Sequence, residues 1–380
     1  MKRYTLYNIL LSGLLLAACS KEDGPSPVPD GADAFATVSV AVDGVAGTKV
    51  TKAESSTEPG NDTENAIKNL TVVFIDEANN EVIAHGFRKI GDSDQDTTAR
   101  VGLKTGTYKM LLIANTDEVA SFDPAVYYAL TTSLGVQGAD KGFVMTNAAE
   151  EIEIQAGENK ITGKTIKRIV GRVDLSKVAV DWQDNDLKQI KGLQFKLKQV
   201  FLANVRPQSY LFDTSLNKEA EHTIENKEGG YLCGIEKFYS GANSDIVAGN
   251  VYASYLNKSF DPAIAIKSGE DAVISNVASF YVMTNSDTKD NAAPVILYIK
   301  GDLYDSNTNK NVLTDRYYRI KLAKGVQRNT LYKIEATIQG KGSPEPGDNK
   351  ENIDMSVTII INTWDNVTLD KITIDEEIEI

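Results

Sequence analysis

The chain has 380 residues with a formal net charge of −13, an acidic balance that works against nucleic acid or anionic lipid as a partner. It holds only two cysteines and two histidines, and no metal cluster with ligand spacing appears among them. Its length suits two domains, each large enough to bury a core without disulfides.

The N-terminus reads first as an export signal. Lys2 and Arg3 precede an apolar stretch, Tyr4 to Ala18, that is shorter than the ~20 residues a membrane span needs. It ends in Leu16-Ala17-Ala18-Cys19, a lipobox: the small residues suit a signal peptidase, and the Cys19 thiol is the acylation site. Residues 1–18 are therefore expected as a lipoprotein signal peptide and 19–34 as an acidic, Pro-rich tether. With Cys19 lipidated, Cys233 has no partner for a disulfide within the chain.

From Ala36 onward period-two alternation recurs. Ala36, Val38, Val40 and Val42 form one face of a first strand, and the polar, Gly-containing loop after it carries Lys49 and Lys52. Leu70–Ile75, Gly106–Asn115, Ile166–Val180, Leu193–Leu202, Ser279–Thr284, Val295–Tyr304, Tyr317–Leu322, Thr330–Ile338 and Val357–Trp364 read as further strands. Short β-branched runs between Gly, Asn and Asp turns predict an all-β protein of sandwiches. Helix is predicted only over about Asp123–Leu134. The acidic run Asp181–Asp186 suggests a boundary between domains at 53–182 and 183–364, and Phe212–Ser275 reads as a polar insertion. Beyond Trp364 and an Asp365-Asn366 turn, Val367, Leu369, Ile372, Ile374, Ile378 and Ile380 continue a strand pattern through the tail 365–380.

Motifs for chemistry fail one by one. Gly157–Thr165 resembles a phosphate loop but has one residue too many between its glycines, and a strand follows where a helix should. Asp92–Asp96 alternates carboxylates like a calcium loop, but Thr97 and Leu103 stand where Gly and Glu are required. His85 and His222 have no partners in sequence that suggest catalysis. The expectation is a non-enzyme with no catalytic residue, metal or cofactor.

The two ends suggest assembly. Proteolysis after Lys49 or Lys52 would free the first strand and expose an apolar groove, which the tail of another subunit could fill by strand addition. The alternative is a surface binding module or tip adhesin for a glycan or host protein, with Tyr231, Phe238 and Tyr239 as an aromatic platform.

The lipobox, Glu64-Asn65-Ala66-Ile67-Lys68-Asn69-Leu70, Gly106-Thr107-Tyr108 leading to Ile113-Ala114-Asn115, Phe143–Thr146, Arg172-Val173, Arg328–Tyr332 and the late strand with Trp364 stand in an order that resembles the fimbrillins, pilus subunits of Bacteroidales. The resemblance covers nearly the whole chain. It implies two tandem β-sandwich domains of transthyretin-like topology, export as an outer-membrane lipoprotein, proteolytic removal of the first strand (35–52 with its loop), and polymerisation with other fimbrial subunits through the tail. The partners so implied are those subunits, a processing protease and, before processing, the outer membrane; a surface ligand has no signature. The family's arginine-specific cut has no counterpart here, since no Arg lies between Arg3 and Arg88.

Overall fold

The computed structural model describes residues 31–42, 64–91, 97–138, 142–212, 230–236, 246, 250–269, 272–285, 293–323, 325–346, 355–363 and 370–374. Strands dominate. In chain order they are β1 (Ala34–Val42), β2 (Asn69–Asp76), β3 (Glu81–Lys89), β4 (Val101–Leu103), β5 (Gly106–Ala114), β6 (Thr131–Ser133), β7 (Met145–Thr146), β8 (Glu150–Ile154), β9 (Gly157–Arg168) and β10 (Val170–Val180). They continue as β11 (Leu193–Ala203), β12 (Gln208–Tyr210), β13 (Leu232–Cys233), β14 (Val251–Tyr252), β15 (Asn257–Lys267), β16 (Ile274–Met283), β17 (Val295–Asp305), β18 (Lys310–Leu322), β19 (Thr330–Ile338), β20 (Met355–Thr363) and β21 (Asp370–Ile374). The all-β expectation holds.

An eight-stranded mixed sheet runs β3-β2-β5-β7-β9-β1-β4, with β8 also paired to β5. Its two ends, β3 and β4, lie against each other, so the sheet is nearly closed into a barrel. A five-stranded sheet runs β16-β10-β19-β20-β21, and a four-stranded antiparallel sheet runs β15-β11-β17-β18. One continuous apolar core draws residues from all three, including Leu70, Leu112, Val173, Phe195, Leu297 and Ile334.

The chain leaves the first sheet at Ile169. β9 belongs to the eight-stranded sheet, whereas β10 pairs with β16 and β19. Sheet membership therefore changes near residue 169. The acidic run 181–186 leads into a one-turn helix α2 (Asn185–Lys188), where the Asp186 and Leu187 amides donate to the Asp184 carboxylate.

Two expectations are corrected. The helix over 123–134 shrinks to α1 (Pro124–Tyr128), capped by Asp123. Thr131–Ser133 then turns extended because it pairs with β12. Within 212–275, β15 is a regular eleven-residue strand on β11. It is an edge strand with only Ile266 buried, so no alternation marked it, and Pro262 is tolerated there.

Candidate functional site

β1 is the element on which the functional reading turns. It lies inside the eight-stranded sheet, parallel to β9 on one side and antiparallel to β4 on the other. Strict alternation places Ala34, Ala36, Val38, Val40 and Val42 inward, all buried. The three valines alone contribute about 5–9 kcal/mol of burial at about 1.5–3 kcal/mol each. Register sets small side chains of β1 opposite large ones of β4: Ala34 faces Leu103 and Ala36 faces Val101, both of which are fully buried.

A set of polar clasps holds the strand. The Thr98 amide donates to the Val38 carbonyl at 2.9 Å, and the Val38 amide donates to Thr98 Oγ1 at 3.0 Å. At its start, Asp33 accepts from the Thr105 amide (2.7 Å) and hydroxyl (2.9 Å), which hold the Asp33 carboxyl below its ordinary value. Asn159 Nδ2 donates to the Phe35 carbonyl at 3.3 Å. On the outer face the Arg100 guanidinium sits 3.5 Å above the Phe35 ring and pairs with Glu158. The pairing with β9 slips between Val38 and Val40, where Gly163 adopts φ +73°. Sequence reasoning missed Asp33, Thr98, Arg100 and Asn159. Each acts across a long stretch of chain and carries no local pattern, and Asp33 falls within the 19–34 segment that reads as tether.

At the other end of the chain, β21 pairs antiparallel with β20 and forms the edge of the five-stranded sheet. Ile372 and Ile374 take register positions opposite Ile359 and Val357. Val367, Leu369, Ile378 and Ile380 lie outside the described residues, as do Leu16, Ala17, Ala18, Cys19, Lys49 and Lys52.

Between these ends lies Glu64, which is 1% exposed. Arg172 Nη1 donates to its carboxylate at 3.1 Å, and Arg172 also pairs with Asp174 at 2.6 Å. Tyr281 OH donates to Glu64 as well. Burial opposes the charge on Arg172, but the Asp174 hydrogen bond and the Asp174 and Glu64 charges outweigh it and raise its pKa. Burial, followed by the Glu64 hydrogen bond, raises the Tyr281 phenol. Arg168, 1% exposed, donates to the Glu64 carbonyl (3.1 Å) and to Asn329 Oδ1 (3.0 Å). The cluster thus joins the segment before β2 to β9, β10, β16 and the turn before β19.

Chemistry has little to work with. Among the described residues no group of three or more His, Cys, Asp or Glu side chains could hold a metal ion. His85 packs edge-on against Phe122 with centroids 5.7 Å apart. Burial pushes the Cys233 thiol up to about 11, which keeps it protonated and unreactive. Tyr231 is buried rather than a platform, and Phe238 and Tyr239 lie outside the described residues. The exposed aromatic residues nearby are Tyr252 and Tyr255.

Comparison with known proteins adds a family. Residues 36–191 match the model of the major fimbrial subunit protein, FimA. The chain is 23% identical to the major fimbrium subunit FimA type-2 of Porphyromonas gingivalis, covering 96% of this chain and 98% of that protein. A fimbrilin crystal structure from P. gingivalis superposes with a TM-score of 0.64 at 18% identity, over 89% of this chain and 99% of that one. A candidate cell adhesion protein from Parabacteroides distasonis superposes at 0.61 and 18% identity, over 87% and 99%. At such identities the superpositions speak for the fold alone.

Proposed function

Over residues 36–191 the chain belongs to the major fimbrial subunit family, the fimbrillins, and from that premise we propose that it is a structural subunit of a cell-surface fimbria. The family is structural, not catalytic. In this reading the chain is exported as a lipoprotein through Cys19 and reaches the outer membrane. A protease then cuts the loop after Lys49 or Lys52. β1 leaves, and the C-terminal tail of another subunit takes its place. The resulting fimbria serves adhesion or biofilm formation. The same reading extends to two tandem sandwich domains of transthyretin-like topology.

The observation that carries the proposal is the position of β1. It is the first strand among the described residues, yet it sits between two partners with all its inward side chains buried. Its loss would open two hydrogen-bonding edges and an apolar slot, a state that needs a replacement strand to stay soluble. Limited trypsin digestion of the lipid-free chain, with N-terminal mapping and size analysis, tests this. The expected product starts after Lys49 or Lys52, stays folded, and gives up its strand fragment when another strand is offered. A resistant loop, or a cut protein inert towards every fimbrial tail, would favour the second reading. That reading is a surface binding module, and exposed Tyr252 and Tyr255 support it by offering flat faces to a glycan or a protein.

A further inference from the structure

The slot beneath β1 has a definite shape along its length. Its five inward positions read Ala, Ala, Val, Val, Val, and none carries a charge. The two alanines are the tight end. Ala34 is 0% and Ala36 is 1% exposed, and β4 sets Leu103 and Val101 directly opposite them. A larger side chain there meets groups that are already fully packed, and such overpacking is destabilising.

The chain's own tail does not match that shape. Residues 365–380 (DNVTLDKITIDEEIEI) contain no Ala, Gly or Ser. Strand geometry sends alternate residues to one face, so the tail offers two frames. The even frame brings Ile372 and Ile374, then Glu376, then Ile378 and Ile380. The odd frame brings Val367 and Leu369, then Lys371, Thr373 and Asp375. Any five successive positions in either frame include an Asp, Glu or Lys, and none supplies an alanine for the narrow end. A bulge that switches frames, giving Val367, Leu369, Ile372 and Ile374 in series, still reaches Asp365 or Glu376 as its fifth member. Reversing the strand direction changes neither statement.

We propose that the slot is built for the donor strand of a different subunit, not for a second copy of this chain. The partner is an uncharged alternating strand with alanine- or glycine-sized residues at two successive inward positions at one end and β-branched residues at the other three. The inference rests on the strand-exchange reading and adds the identity of the strand. It makes this chain an obligate member of a mixed polymer, receiving one kind of subunit and donating its Ile-rich tail to another.

The test uses the full chain with a specific protease site inserted between Lys49 and Lys52, so that it does not depend on natural processing. After cutting, the seated strand is challenged with labelled peptides. These are β1 itself (residues 33–43), the native tail (364–380), and tails carrying either Ile372→Ala, Ile374→Ala and Glu376→Val or Ile380→Ala, Ile378→Ala and Glu376→Val, one for each strand direction. The β1 peptide is expected to exchange in. The native tail should bind at least about tenfold more weakly, the scale set by one oversized buried side chain. One of the two alanine tails should recover affinity. A native tail that competes as well as β1, or alanine tails no better than the native one, would overturn the proposal. Failure of the β1 peptide itself to exchange would instead overturn strand exchange, so the two failures are distinguishable.

Discussion

Glu64 carries more than its share of the fold because it is a buried anion whose partners come from β10 and β16. A buried ion pair is weak evidence for net stability, but removing one partner strands the other. Glu64→Ala is therefore expected to cost about 3–5 kcal/mol by chemical denaturation, and Glu64→Gln less, because the amide oxygen still accepts from Tyr281. Tyr281 adds a pH dependence. Its folded pKa is raised, so the folded state holds the proton after the unfolded chain has released it near pH ~10. Its stabilising share is full below that pH and is lost as pH climbs towards the folded value. Melting temperatures followed from pH 8 to above 10 should fall, and Tyr281→Phe should fall less steeply.

Among the elements, β1 and β15 make an instructive pair. β1 was legible because both of its hydrogen-bonding edges are used and one face is buried, which leaves strict alternation in Ala36, Val38, Val40 and Val42. β15 was not, because an edge strand with a single buried residue leaves no such mark. Strand order was equally invisible. Nothing in either segment says that β1 runs parallel to β9, or that β10 belongs to the later sheet, since pairings over long separations depend on which edges remain free once the rest has folded. The polar clasps on Asp33, Thr98 and Asn159 were hidden for the same reason. If these clasps and the slot act together, Val38→Ala should cost about 1–3 kcal/mol, somewhat below the range for larger aliphatic truncations. Thr98→Val should add to it less than its separate effect, because both residues secure one hydrogen-bonded point on the strand. A double-mutant cycle read by denaturant midpoint checks the coupling.

At the scale of the molecule, the two ends of the fold are held by unequal means. β1 has partners on both sides and five buried side chains; among the described residues, β21 is a five-residue strand with one partner, at a sheet edge. Removing β21 leaves β20 as a new edge whose pairing with β19 runs its full length, from Thr330 opposite Thr363 to Ile338 opposite Met355. Removing β1 instead severs the eight-stranded sheet between β9 and β4 and uncovers Leu103, Val101 and Ile161. A chain ending at residue 363 should therefore purify as a folded monomer with a melting temperature within a few degrees of the full chain, a loss of about 1 kcal/mol or less on a fold of this size. A chain starting at residue 43 should aggregate, and should become soluble when the β1 peptide is supplied during refolding. Size-exclusion profiles of the two truncations decide the matter. Equal behaviour would mean that the N-terminal strand is no more integral than the C-terminal one. A soluble monomer starting at residue 43 would remove the reason for any replacement strand.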